Sequence, residues 1–514
     1  MSIDITIHTK NSSYIKIECD QSIAKELADY FSFEEEGAKF SPLYKAGVWD
    51  GRKKLFSSFT KEMYSGLAPY VIKYAKDHDY TVSDLTVKKS NDHITREVIE
   101  QFCKALKLHS HGVPIEINDY QVETVYRCIK EERLLPISPT SSGKSLILYC
   151  VSRWLIMQGQ KILFLVPNIG LVSQMYSDFE DYSSENKWNV DKYVHQVYAG
   201  KEKNPNKQLV LSTWQSLFRI GKTDGKKGKI SDNIPKDYFD QFTAVLGDEA
   251  HLYKAKSITG IMERCRNAEF RCAVTGTLDG KDVNKLVIEG IFGPVFKVIT
   301  TKELMDRGTI ATLQIKCIQL KYSDEVRKAA KQHDGKKLEY AQEIDFLVSS
   351  SKRNNFIANL AVSQKKNCLV LFHYVEKHGK PLYDLIRHLA GDDRTVLFLS
   401  GDDDVETRDE AKRILEAGEN VILVASRGIF STGVSVRNIH SVIFASSTKS
   451  QINTLQSIGR GLRLDEGKTS CVLYDVSDNL SWKKRENHTL LHSIERIKIY
   501  AEQRFNYKIY EVAI

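Results

Sequence analysis

The chain has 514 residues, 42% hydrophobic and 27% charged, a balance that suits a globular protein with room for three or four domains. It holds no run of ~18 apolar residues that would span a membrane, and its first residues alternate polar and apolar where a signal peptide would place an apolar core, so no membrane association and a cytoplasmic location are expected. The net charge of +8, from 74 basic and 66 acidic residues, permits a polyanionic partner, while nine scattered cysteines without a C-x-x-C pair point to reduced, buried thiols and away from zinc.

Residues 1–95 read as a small α/β module, with strands at 3–7 and 14–17 and a helix at 22–31. The turn-rich stretch 40–56 interleaves Phe40, Tyr44, Trp49 and Phe56 with Lys45, Arg52, Lys53 and Lys54 around the turn signal Asp50-Gly51. Two readings fit it. Trp49, Arg52 and Lys53 would contact a nucleic-acid backbone, or the aromatics are hairpin core and the charges are solvated. Residues 96–117 read as a connecting helix and linker. From the cap at Asn118-Asp119, apolar runs at 161–167, 208–212, 244–247 and 271–275 alternate with helices. After Gly293-Pro294 the pattern resumes at 314–320, 368–372, 395–399, 420–425, 441–445 and 470–475. Apolar strands separated by helices predict an α/β fold with two parallel-sheet lobes, 118–305 and 306–480, followed by a helical segment, 481–514.

The stretch Ser138-Pro139-Thr140-Ser141-Ser142-Gly143-Lys144-Ser145 is a loop of small residues that opens into an apolar helix. Such a loop turns backbone N–H groups around an anion, and the helix adds its positive end. Lys144 would reach the outer phosphates of a nucleotide, and Ser145 would offer a hydroxyl to Mg²⁺. The strand ahead of Asp248-Glu249 delivers two adjacent carboxylates at its carboxyl end, where ligands of open α/β sheets bind. Asp248 would hold Mg²⁺ and Glu249 would orient or deprotonate water. In the second lobe Arg460 and Arg463, three apart on a helix face, suit charge stabilisation in phosphoryl transfer.

The set resembles the motor of superfamily 2 helicases, two RecA-like lobes, over residues from about 118 to 480. Asp119-Tyr120-Gln121 resembles the adenine-reading glutamine motif and 138–145 motif I. Leu165-Val166-Pro167-Asn168 with Gln174 resembles motif Ia, and Ser212-Thr213-Trp214-Gln215 the next strand-contacting motif. Asp248-Glu249-Ala250-His251 is a DEAH spelling of motif II, and Thr275-Gly276-Thr277 resembles motif III. Phe372-His373-Tyr374 resembles motif IV, Ala425-Ser426 with Thr432-Gly433-Val434-Ser435 motif V, and 456–463 motif VI. Ser138 stands in place of the first loop glycine and Ser435 in place of a frequent Asp; neither change removes a group needed for hydrolysis. Phe31-Ser32-Phe33, Val48-Trp49-Asp50-Gly51-Arg52, the run 425–436 and Arg504-Phe505-Asn506-Tyr507 extend the resemblance, over nearly the whole chain, to the UvsW recombination and repair helicases of tailed bacteriophages.

That resemblance implies ATP-dependent remodelling of branched DNA: fork regression, branch migration, and R-loop or D-loop unwinding. It implies ATP and Mg²⁺ as cofactors. Tyr120, Gln121, Thr140, Ser141, Ser142, Gly143 and Gly433 would join Lys144 and Ser145 in holding the nucleotide, and Gln456 would position water or the γ-phosphate. His251, Thr275 and Thr277 would couple hydrolysis to movement, and Pro167, Thr213, Phe372 and Thr432 would hold the backbone of branched or double-stranded DNA or an RNA–DNA hybrid. A monomer is expected, working beside single-strand-binding or recombination proteins in the host cytoplasm. From the residues alone, a Gly-rich loop with Lys226, Lys227 and Lys229 reads as a duplex contact or as solvated surface. An RNA helicase, the motor of a nuclease and an ATP-gated binding module are the competing classes.

Overall fold

The computed structural model describes residues 3–35, 37–86, 91–198, 202, 206–218, 237–253, 255–278, 282–330, 338–428, 438–447, 450–464, 468–483 and 485–514, with the side chains of 282, 405, 451–453, 456 and 460 outside that set. The chain forms two units, Met1–Ser138 with Gly143–Val298, and Pro139–Ser142 with Ile299–Ile514.

Two sheets of five and seven strands dominate the first unit. The N-terminal one has the order Phe56–Ser57, Glu62–Tyr64, Tyr14–Cys19, Ile5–Thr9, Val82–Asp84. The alternation of Ile5, Ile7, Ile15 and Ile17 turns one face inward, because strand side chains alternate with a period of two. Helices Gln21–Tyr30 and Ala68–Asp77 contribute Ile23, Ala24, Leu27, Val71, Tyr74 and Ala75 to the same core. That core does not stop at the module. It continues through Leu135, Leu163 and Val245 of the next sheet to Phe292, at the end of helix Asp282–Phe292.

Polar contacts make the same junction. The buried Arg271 guanidinium donates to Ser13 Oγ (2.8 Å), the Cys265 carbonyl (2.7 Å) and the Ala268 carbonyl (2.9 Å), while Ser13 Oγ donates to the Met262 carbonyl (3.0 Å). Arg133 donates to the carbonyls of Ser12 and Ile291, Tyr64 to Glu263 (2.8 Å) and Tyr70 to Glu289. Gly66 is needed here, since a Cβ would come within 2.1 Å of the Glu289 carbonyl oxygen. The stretch read as a linker is packed as well. Helix Arg96–Ala105 begins on a Thr95 cap and buries Ile99 and Cys103.

The second sheet of this unit is parallel, in the order Val194–Val197, Leu209–Thr213, Ile162–Val166, Ala244–Gly247, Phe270–Ala273, Arg133–Ile137, Val295–Lys297. Its central strands are buried along their length, as strands covered on both faces must be. The helix after the loop, Lys144–Met157, buries an unbroken run from Leu146 to Ser152.

The second unit repeats the plan: Val396–Leu399, Ile422–Ser426, Cys368–Phe372, Ser441–Phe444, Ser470–Asn479, Thr312–Lys321, Asn506–Ala513, all parallel. Two parallel-sheet lobes with a small N-terminal α/β module are the fold expected from the sequence. The expectation of a wholly helical C-terminal segment is corrected. Helix His488–Glu502 is followed by a strand pairing from Gln314 with Asn506 to Lys321 with Ala513. This edge strand is exposed on both faces, so its sequence carries no inside–outside alternation to reveal it. Buried ion pairs Arg496–Asp475 (2.7 Å) and Arg353–Asp478 (2.8 Å) tie helices to the sheet. All nine cysteines are free thiols, eight of them buried. Among the described residues no helix is long and apolar enough to cross a membrane.

Candidate functional site

Three strand ends meet at the carboxyl edge of the first unit's parallel sheet. Phe270–Ala273 lies between Ala244–Gly247 and Arg133–Ile137, so Asp248-Glu249, Thr275 and the loop after Ile137 leave the sheet side by side. Ser138 N–H donates to the Thr275 carbonyl (2.9 Å), which ties the loop to the neighbouring strand end. In the loop Ser142 Oγ donates to the Pro139 carbonyl (2.7 Å), and Ser141 takes a left-handed φ of +68°. Gly143 has φ +81°, and a Cβ there would sit 2.2 Å from Gln121 Nε2. The left-handed φ favours glycine, and any Cβ would also displace the Gln121 amide. Tyr120 and Gln121 are buried at the start of helix Asp119–Glu131, where Gln121 Oε1 accepts the Asn118 N–H (2.9 Å) and the amide abuts the loop.

Lys144 opens the next helix with Nζ 3.4 Å from the Ser138 carbonyl, and Ser145 Oγ lies 2.8 Å from Tyr182 OH. Burial, then the adjacent Glu249 carboxylate, pushes the Asp248 carboxyl up to about 7, and the Lys144 ammonium pulls it back. A cation would relieve that carboxylate. With the Ser145 hydroxyl it makes a hard-oxygen donor set, which fits Mg²⁺. Glu249 stands at φ +52°, its N–H on Asp248 Oδ1 (2.8 Å) and its carboxylate 3.2 Å from His251 Nδ1. His251 Nδ1 also lies 3.1 Å from Thr275 Oγ1, which donates to the Thr277 carbonyl (2.9 Å). One chain of contacts thus joins Glu249, His251, Thr275 and Thr277.

Two further strand ends are adjacent, because Val166 pairs with Thr213. The Pro167 carbonyl accepts from Gln215 (3.2 Å), and Thr213 Oγ1 caps the turn Trp214–Leu217. In the second unit the Phe372 ring is core, stacked on Phe398 at 5.4 Å, so this position leaves only main chain to the surface, near the exposed Tyr374. The Arg463 carbonyl accepts from Lys468 (2.8 Å). Thr432, Gly433, Lys226, Lys227 and Lys229, and the side chains of Gln456 and Arg460, lie outside the described residues.

In the N-terminal module, strands Ser32–Glu34 and Arg52–Lys54 form a hairpin. Phe56 is core, whereas Phe40 is 82% and Val48 74% exposed. Trp49 Nε1 donates to the Arg52 carbonyl (3.0 Å), Arg52 holds Ser32 and Lys54 pairs with Asp50. The hairpin-core reading thus holds for Phe56, while Phe40 and Val48 stand exposed. Tyr182 and the Ser13–Arg271 junction escape sequence reading, since Tyr182, Ser13 and Arg271 lie in no motif and the residue each one meets is far away in the chain.

Residues 4–84 match the family model for the N-terminal domain of the DNA helicase UvsW, 114–280 that for the res subunit of type III restriction enzymes, and 351–465 that for the conserved C-terminal domain of helicases. The ATP-dependent DNA helicase uvsW of Enterobacteria phage T4 is 34% identical over 519 residues, covering 98% of this chain and 99% of that protein. The crystal structure of T4 UvsW matches at TM-score 0.50 and 30% identity, over 99% of this chain and 100% of that one. The DNA 3'-5' translocase XPB2 of Sulfurisphaera tokodaii is 24% identical over 387 residues, 68% of this chain and 79% of that protein. With its two sheets built on the helicase motor plan and its similarity to T4 UvsW running from end to end, the chain belongs to the UvsW family of superfamily 2 helicases.

Proposed function

We propose that the protein is an ATP-dependent DNA helicase that remodels branched DNA, by branch migration, fork regression and unwinding of R-loops or D-loops, in phage recombination, repair and replication. The observation that carries this reading is the convergence of Lys144, at a helix N-terminus, with the paired carboxylates Asp248 and Glu249, in a chain similar to a DNA helicase over its whole length. Lys144 and the amides of 140–143 hold the phosphates, and Tyr120 and Gln121 face the base. Mg²⁺, held by Ser145 and Asp248, would neutralise phosphate charge. Glu249 takes a proton from the attacking water that Gln456 positions, and Arg460 and Arg463 stabilise the charge that develops.

His251, Thr275 and Thr277 pass the state of that site to the strand-holding face. There Pro167, Thr213, main chain at Phe372, and Thr432 grip phosphodiester backbone, with Trp49, Arg52, Lys53, Lys226 and Lys227 as outlying contacts. Backbone contacts carry no base information, so junction shape and not sequence selects the substrate. We assign the active form as a monomer in the host cytoplasm.

The test is steady-state ATPase with no nucleic acid, single strand, duplex, fork, Holliday junction and RNA at matched nucleotide concentration. Branched DNA is expected to stimulate most. Stimulation chiefly by RNA would overturn the substrate and leave the ATP site standing.

A further inference from the structure

The Ser145 hydroxyl meets a phenol. Tyr182 is the last residue of helix Ile169–Tyr182, which is anchored through Val172, Met175 and Phe179, and its OH lies 2.8 Å from Ser145 Oγ. Its ring packs on Tyr149 with centroids 5.5 Å apart, and Tyr149, fully buried, is itself edge-on to Phe179 (5.1 Å) and Trp188 (5.9 Å). The packing on Tyr149 and the anchored helix hold the phenol beside the loop. Its oxygen is therefore a stationary partner for a side chain that otherwise has three staggered rotamers.

A serine oxygen carries one proton and two lone pairs. When a lone pair binds a cation, the proton must point away from the metal and toward an acceptor, and partners behind a ligand set its orientation. We propose that Tyr182 is a positioning residue of the nucleotide site: its phenol oxygen accepts the Ser145 proton and so aims a Ser145 lone pair at the divalent cation bound with the nucleotide. This rests on the assignment of Ser145 as a metal ligand. No motif contains Tyr182. Its role follows from the contact between two helices whose preceding strands, Arg133–Ile137 and Ile162–Val166, are separated in the sheet by two others, and whose aromatic side chains meet.

The experiment measures equilibrium binding of a fluorescent ATP analogue to the full chain as Mg²⁺ is titrated, for wild type, S145A, Y182F and the double variant. Y182F is expected to raise the Mg²⁺ concentration at half-saturation about tenfold, the low end for partners that orient a metal ligand. Binding of the analogue without metal should stay as in wild type. In the S145A background Y182F should add nothing, because the orientation it supplies has no object there.

A Y182F titration that overlays wild type, a tighter Mg²⁺ requirement, additive effects in the double variant, or loss of metal-free binding would each overturn the proposal, the last by showing a purely structural role. If S145A leaves the Mg²⁺ requirement unchanged, the metal-ligand assignment fails and this inference with it. If S145A shifts the requirement and Y182F does not, only the role of Tyr182 falls.

Discussion

Glu249 occupies the left-handed region at φ +52°, ψ +54°, a conformation that costs a non-glycine residue about 1–2 kcal/mol. Such strain persists only where surrounding structure imposes it, and here it turns the carboxylate toward His251 while Asp248 keeps the strand direction. Glu249→Gln keeps the shape and removes the base. Turnover is expected to fall by a factor of about 10²–10⁴ with nucleotide affinity nearly unchanged, which single-turnover kinetics beside equilibrium binding would check. At this scale the sequence was most informative where a chemical group and its neighbours in the chain make the site, as at Lys144, Ser145, Asp248 and Glu249. It was silent on Tyr182, and on whether Gln121 is exposed or, as found, pressed against Gly143, because both depend on packing between distant segments.

Among elements, the central strands were legible as apolar runs; 244–247 and 368–372 coincide with Ala244–Gly247 and Cys368–Phe372. Edge strands Val194–Val197, Val295–Lys297 and Asn506–Ala513 were not, since partial exposure blurs their pattern. A short helical turn, Val375–Gly379, carries a testable consequence. Its His378 is fully buried with Nδ1 3.3 Å from Ser446 Oγ, and burial, aided by the Arg353 charge, pushes the imidazole down to about 3. An unfolded histidine takes up a proton near pH 6.5, which this folded one refuses until about 3. The contribution is therefore intact above 6.5 and is lost as pH falls toward 3, by at most about 1.4 kcal/mol per pH unit. Denaturant unfolding between pH 7 and 5 should show a shallower acid decline in His378→Asn than in wild type.

For the whole molecule, the N-terminal module and the first lobe share one core and arginine contacts to the Ser13 hydroxyl and the Ser12 carbonyl, so the module braces the motor wherever else it reaches. The sequence read as a small module ending near residue 95; it did not reveal a common interior, because Ser13 and Arg271 are ordinary residues until brought together. The second lobe depends on its last strand. Removing residues 506–513 would bare the long edge of Thr312–Lys321, and the truncated chain is expected to be largely insoluble, as centrifugation and size-exclusion chromatography would report.

Strand Thr312–Lys321 has only two neighbours in its sheet, Ser470–Asn479 and Asn506–Ala513, and both come later in the chain. On the ribosome, then, the first lobe has every strand it needs soon after Lys297 emerges, while the opening strand of the second waits through most of that lobe's synthesis with both edges open. The ATP-binding half is ready to fold early. The half that would carry the arginines can be completed only after Ala513 has emerged, which makes the interval between them the period in which a nascent chain most needs protection from its neighbours.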